Sequence, residues 1–213
     1  MLLHLVKKDI LLVKKYLLFT LLAVIAIPLF IMSRIPEFLG FNAFLISVIF
    51  AKFMLYQYVS MAEMKYPKAT ALLCGTPYPR NMLIKARYTF LLLIFVYCYV
   101  AYTLLALLMP KVDYLPPLSI LTALLFSTIL FGIYTPIQYK LGYERTKYFF
   151  SIVIVATPFI LPALSNLDIR LDLSELSAMP MLAKYLIVFI ALISILSISL
   201  TLSIKIYSKK DLL

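Results

Sequence analysis

Six stretches of this sequence are each long and apolar enough to cross a lipid bilayer, which leaves few folds open. A helix spanning the hydrocarbon needs roughly 17–25 mostly apolar residues. Such stretches run from Tyr16 to Ser33, Phe41 to Ala62, Tyr88 to Met109, Leu118 to Tyr139, Tyr148 to Ser165 and Ala183 to Tyr207, each bounded by charge, Pro or Gly. The fifth carries Pro158 and Pro162, four residues apart, so two backbone donors are missing and a kink or break is expected there. No small-x-small cleavage site follows the first stretch at Phe30-Ile31-Met32-Ser33-Arg34, so it reads as a retained span. Backbone groups in hydrocarbon must be satisfied within the segment, and 64% hydrophobic with 14% charged residues puts the chain outside the soluble class. The expected fold is an all-α polytopic membrane protein of six transmembrane helices.

The formal net charge of +11 is unusual in so apolar a chain. A nucleic-acid binder would display such charge on a polar surface, which is missing here. Topology accounts for it instead. With the N-terminus and every second loop in the cytoplasm, Lys7, Lys8, Lys14, Lys15, Lys65, Lys68, Arg80, Lys85, Arg87, Lys140, Arg145, Lys147, Lys205, Lys209 and Lys210 lie inside. Only Arg34, Lys111, Arg170 and Lys184 lie outside. Acidic residues divide almost evenly, with Asp9, Glu63, Glu144 and Asp211 inside and Glu37, Asp113, Asp168, Asp172 and Glu175 outside. The positive-inside rule then places both termini in the cytoplasm. One charge, Lys52, is left within a span.

The whole chain reads as one transmembrane domain: residues 1–15 an interfacial helix, 16–207 the six-helix region, and 208–213 a cytoplasmic tail. In residues 1–15, His4, Lys8 and Lys15 share one helical side and aliphatic residues the other, as in a helix lying along the inner leaflet with its lysines toward anionic lipid. The longest cytoplasmic connection, Glu63 to Arg87, is expected to hold a short transverse helix from Pro67 to a stop at Gly75, with Thr76-Pro77-Tyr78-Pro79 ending it. Gly142 is the turn residue of the next cytoplasmic loop, and the outer segment 166–180 is open to helix or strand.

The residues then limit the chemistry. Ion-coupled transport calls for a carboxylate at depth, and no span has one in its core; Glu63 sits at a cytoplasmic end. With one histidine, two cysteines (Cys74 and Cys98) and no acidic cluster, neither a metal site nor a catalytic pair can be assembled. No Gly-rich phosphate loop is present, so ATP-derived energy would have to arrive through a cytoplasmic contact. Lys52, Tyr56, Ser60 and Glu63 share one face of the second span, which makes Lys52, Tyr56 and Ser60 candidate pathway-lining residues; packing against a carbonyl or tyrosine is the alternative for Lys52. Tyr97, Tyr99, Tyr102 and Thr103 in the third span are expected to bond between helices.

Glu63-x-Lys65, followed by Leu72-Leu73-Cys74-Gly75-Thr76-Pro77-Tyr78-Pro79-Arg80 and Ala86-Arg87-Tyr88, resembles the first cytoplasmic loop of type-2 ABC exporter permeases. Pro136-x-x-Tyr139-Lys140-Leu141-Gly142-Tyr143-Glu144 is similar to that family's second cytoplasmic loop, and Tyr207-Ser208-Lys209-Lys210-Asp211 to its tail. The likeness covers most of the chain and is nearest to small permeases of bacterial phenol-soluble-modulin and bacitracin-type exporters, although Gly75-Thr76-Pro77 stands where Ser-Leu-Pro is usual. The resemblance implies a plasma-membrane permease without catalytic residues that pairs with a second permease copy and two ATP-binding subunits. ATP and Mg would be held by those partners and no cofactor by this chain. It also implies amphipathic or hydrophobic cargo, antimicrobial or cytolytic peptides favoured. Glu63, Lys65, Lys68, Thr76, Pro77, Arg80 and Arg87 become candidate coupling residues, with Tyr139, Lys140, Gly142 and Glu144 in the second loop. Drug or lipid-like cargo, or a scaffold or immunity role without transport, remain the alternatives.

Overall fold

The computed structural model describes residues 2–66, 80–148, 152, 156 and 180–208, except for the side chains of Glu37 and Arg80. Among these are five helices long and apolar enough to cross a membrane: α1 (Leu2–Arg34), α2 (Phe41–Lys65), α3 (Arg80–Leu108), α4 (Pro117–Leu141) and α5 (Met181–Ser208). A 3-10 turn at Pro36–Phe38 and Gly40, at φ +91°, reverse the chain between α1 and α2. Most of the fifth apolar stretch, the proposed transverse helix and the outer segment 166–179 lie outside the described residues.

The first two sequence segments form one continuous helix. No Gly or Pro interrupts residues 2–27, and the lysine pairs are good helix formers, so nothing breaks the chain at residue 16. At 1.5 Å per residue the 33 residues of α1 extend about 50 Å, well beyond the hydrocarbon. Its N-terminal turns also pack on protein. Leu5 and Val6 are buried against Ala86 of α3, with Ile10, Met82 and Leu83 around them.

The core forms where helices present apolar seams at three- and four-residue spacing. On α2 the seam runs Phe44, Val48, Lys52, Tyr56 and Val59, and on α3 Ile84, Tyr88, Leu91, Phe95, Cys98 and Tyr102. α1 packs on α2 and α3, α2 on α3 and α4, and α5 on α4 and α3. Much of α1 and α5 stays apolar and exposed, with Leu18, Leu22, Ile190 and Ile198 all more than half exposed; these surfaces suit lipid. Tyr97 donates to Leu17 O of α1 at 3.0 Å and Tyr102 to Gly40 O at 3.4 Å, so both reach outside their own helix as expected. Thr103 bonds within α3, to Tyr99 O.

The helix ends sort into two faces. Lys8, Asp9, Glu63, Arg87, Tyr139 and Tyr207 meet at one end, while Ser33, Gly40, Lys111 and Asp113 meet at the other. α4 and α5 run parallel: Gly132 lies against Ser199, and about two helix turns further on Tyr139 packs its ring on Tyr207. The chain therefore enters α5 at the end opposite to the one where it leaves α4.

Pro136 makes the α4–α5 contact specific. Proline has no N–H, so the carbonyl of Gly132, four residues earlier, loses its helical donor. Ser199 of α5 supplies the replacement, its Oγ donating to Gly132 O at 2.6 Å. The Tyr88 hydroxyl bonds Ser199 Oγ and lies 2.9 Å from Ser203 Oγ, drawing α3 into the same joint. Membrane helices tolerate proline where a neighbour satisfies the freed carbonyl in this way.

Candidate functional site

At the end where α1 begins and α2 finishes, three helices contribute charge to one partly buried cluster. Arg87 of α3 is 4% exposed and Asp9 of α1 is 2% exposed. Arg87 Nη2 donates to Glu63 Oε1 at 2.5 Å, and Arg87 Nε lies 3.8 Å from Asp9 Oδ2. Lys8 Nζ is 3.1 Å from Asp9 Oδ1 and 3.4 Å from Glu63 Oε1. Two cations thus face two carboxylates, and a single guanidinium reaches both acids, a geometry that lysine at this position would not reproduce. The Arg87 guanidinium also sits 5.4 Å from the centre of the Tyr56 ring. A cavity of about 40 Å³ adjoins the cluster, lined among others by Tyr139 and Tyr207.

The position of this cluster gives it meaning. Glu63 stands two residues before the end of α2 and Arg87 two turns into α3, so they are the two stems of the connection 66–79. Asp9 and Lys8 tie both stems to the start of α1. Buried ion pairs are costly to form and costlier to break, so such a cluster fixes one arrangement of three helix ends.

The other anticipated residues fall as follows. Lys65 is exposed, with its ammonium 5.9 Å from the Tyr66 ring centre. Lys68, Thr76 and Pro77 lie outside the described residues, and Arg80 starts α3 with its side chain undescribed. Tyr139 is half-buried beside the cluster, whereas Lys140 and Glu144 are exposed. Gly142 caps α4 at φ +85° and ψ 165°, donating to Gln138 O at 2.8 Å, as its reading as a turn residue requires. Backbone in that region is essentially confined to glycine.

Lys52, Tyr56 and Ser60 all point into the bundle, at 2%, 1% and 9% exposure. Lys52 Nζ donates to Ser127 Oγ of α4 at 2.8 Å, and Ser127 in turn donates to Leu124 O at 3.0 Å. The faces of Phe95 and Phe131 lie 5.2 Å and 5.8 Å from the ammonium. Among the described residues no carboxylate pairs with it. Tyr56 stacks edge-on against Tyr134 at 5.4 Å and lies 6.2 Å from Phe131, linking the Lys52 pocket to the Arg87 cluster.

Asp9 was not anticipated as a site residue. Its signal was nevertheless present: it is the only acidic residue before Glu37, and it falls on the helix face of Leu5, Val6 and Val13. A carboxylate on the apolar side of an amphipathic helix has to be buried against a cation.

Five apolar helices, with an ion cluster at one end joining the stems of the 66–79 connection to α1, define a multi-pass helical membrane protein. Residues 4–208 match the ABC-2 family transporter proteins, and the chain belongs to that family. Membership makes it the membrane permease of an ABC system and implies an ATP-binding partner. No curated protein matches the chain, and no solved structure does.

Proposed function

We propose that this chain is the permease subunit of an exporter that moves amphipathic or hydrophobic compounds, antimicrobial or cytolytic peptides foremost, out across a bacterial plasma membrane. Two copies pair with two ATP-binding subunits, which hold ATP and Mg, and the permease has no cofactor of its own. Residues 1–213 act as one transmembrane domain with six crossings and both termini in the cytoplasm; the parallel run of α4 and α5 supports a further crossing between them. The connection between Glu63 and Arg87 receives the ATP-binding subunit, with Lys65, Lys68, Thr76, Pro77 and Arg80 as contacts and Tyr139, Lys140, Gly142 and Glu144 beside them. Lys52, Tyr56 and Ser60 border the route of the cargo and are uncovered when the bundle opens. Kinship to the phenol-soluble-modulin and bacitracin-type permeases belongs to the same proposal.

The observation that carries this reading is the ion cluster joining both stems of the 66–79 connection to α1. A push on that connection cannot stay local, because Glu63 and Arg87 are held to each other and to a third helix. The test is co-expression with the ATP-binding subunit, followed by co-purification and peptide-stimulated ATP hydrolysis in proteoliposomes. A stable complex whose hydrolysis rises with cytolytic peptides, and less so with drugs or lipids, supports the reading. A chain that purifies alone as a stable monomer and binds no ATPase would leave a scaffold or immunity role instead.

A further inference from the structure

The exposed side of the first turns of α1 carries a shallow groove of about 380 Å³, lined by His4, Lys7, Lys8, Leu11 and Leu12. Three features of it point to one kind of occupant. Its polar rim has no acidic side chain, so it complements an anion. Its level in the membrane is set by Lys8, which contacts Glu63 near the end of α2, close to Tyr139 and Tyr207 near the ends of α4 and α5. That is the depth at which the spans stop and phospholipid headgroups begin. Below the groove the same helix face continues through Leu11, Leu18 and Leu22, which are 57%, 72% and 66% exposed. A soluble anion has no use for such a strip, whereas an acyl chain does.

We propose that this groove binds an anionic phospholipid, with its phosphate among His4, Lys7 and Lys8 and an acyl chain along Leu11, Leu18 and Leu22. Lys8 is the consequential member, because it lines both this groove and the buried cavity of the ion cluster. A headgroup phosphate competes with Asp9 and Glu63 for the same ammonium, so lipid occupancy loosens the hold of α1 on the two loop stems. By linkage, weakening that hold strengthens lipid binding by the same factor. Lipid binding itself needs no ATP-binding partner and stands apart from the exporter reading.

The experiment uses the full chain purified in a neutral detergent, titrated with fluorescent phosphatidylglycerol and, separately, phosphatidylcholine. Phosphatidylglycerol is expected to bind the more tightly. Lys7→Gln, exposed and outside the ion cluster, should weaken it about fivefold, the worth of one lysine near an anionic headgroup. Lys205→Gln removes the same charge from the end of α5 and should leave binding unchanged. Glu63→Gln should tighten binding, by up to about fivefold, by releasing Lys8. Asp113→Asn, an equal charge change at the opposite end, should not. Equal binding of the two lipids, equal losses in Lys7→Gln and Lys205→Gln, or displacement of the lipid by glycerol phosphate at matched concentration would each overturn the site. Equal responses of Glu63→Gln and Asp113→Asn would overturn the competition for Lys8.

Discussion

Replacing Ser199 with alanine tests the α4–α5 joint through a single carbonyl. Gly132 O accepts from Ser199 Oγ at 2.6 Å because Pro136 cannot donate to it. Removing the hydroxyl leaves that oxygen unsatisfied in an apolar interior, at a cost of roughly 1–3 kcal/mol. Interhelical hydrogen bonds measured in membranes come lower, about 0.6 kcal/mol on average and about 1.7 at most. Ser199→Ala is therefore expected to destabilise the fold by roughly 1–2 kcal/mol. In the Pro136→Ala background the new residue regains its N–H and satisfies Gly132 O within α4. There Ser199→Ala should cost less than about 0.5 kcal/mol, leaving a coupling of about 1 kcal/mol between the two positions. Tyr88 keeps Ser203 at 2.9 Å in both backgrounds, so its contribution largely cancels. Reversible unfolding in mixed micelles of a mild detergent and dodecyl sulfate gives the four stabilities of the cycle. If Ser199→Ala costs as much in the Pro136→Ala background as beside the native proline, the serine is not serving the freed carbonyl, and the account of the joint is wrong.

Asp9→Asn leaves Arg87 buried with one carboxylate where it had two, and should cost about 3 kcal/mol or more, seen as a lowered melting temperature; an unshifted melt would show that the cluster does not hold α1. Arg87→Lys should fall nearly as far, since a lysine cannot reach Asp9 and Glu63 together. Gly142→Ala forces a side chain into backbone at φ +85° and ψ 165° and should destabilise by roughly 1–3 kcal/mol, read by the same unfolding assay. Lys52→Leu should leave the fold intact, because one neutral hydroxyl is all it loses among hydrogen-bond partners, yet alter peptide-stimulated ATP hydrolysis of the assembled complex. Unaltered hydrolysis would remove Lys52 from the cargo route.

Five of the six expected spans and the turn at Gly142 were legible in the sequence because bilayer thickness and backbone freedom act residue by residue. Length and hydropathy need no knowledge of neighbours, and Gly142 announced its turn through conformational freedom alone. What depends on partners was not legible. The separate interfacial helix expected over residues 1–15 came from reading the lysine pairs as an interface signal, but helix continuity is decided by backbone propensity, and no Gly or Pro in residues 2–27 interrupts it. Glu63 and Arg87 were singled out by motif, whereas their joining to Asp9 and Lys8 depends on three helices meeting, which no local pattern records. Pro136 carried half of its own message: the missing donor could be read directly, but not that a serine 63 residues later would replace it.

The polar groups inside the bundle fall into two kinds, and the contrast identifies where change is cheapest. Ser199, Thr135 and Ser47 bond to backbone carbonyls, Thr135 and Ser47 within their own helices and Ser199 across to α4, where it fixes the register of α5. Arg87 and Asp9 answer each other's charge. Lys52 does neither: its hydrogen bond goes to a neutral hydroxyl that already donates elsewhere, and two aromatic faces supply the rest of its stabilisation. A charge so lightly compensated gains free energy from meeting an anion or water. It shares the seam of α2 with Tyr56, whose ring lies against Arg87, and with Glu63 at the helix end. One helix therefore carries both a buried charge with no carboxylate partner among the described residues and a member of the ion cluster. Any movement of α2 that strains the cluster also shifts the surroundings of Lys52, which is the physical basis for placing the two in one mechanism.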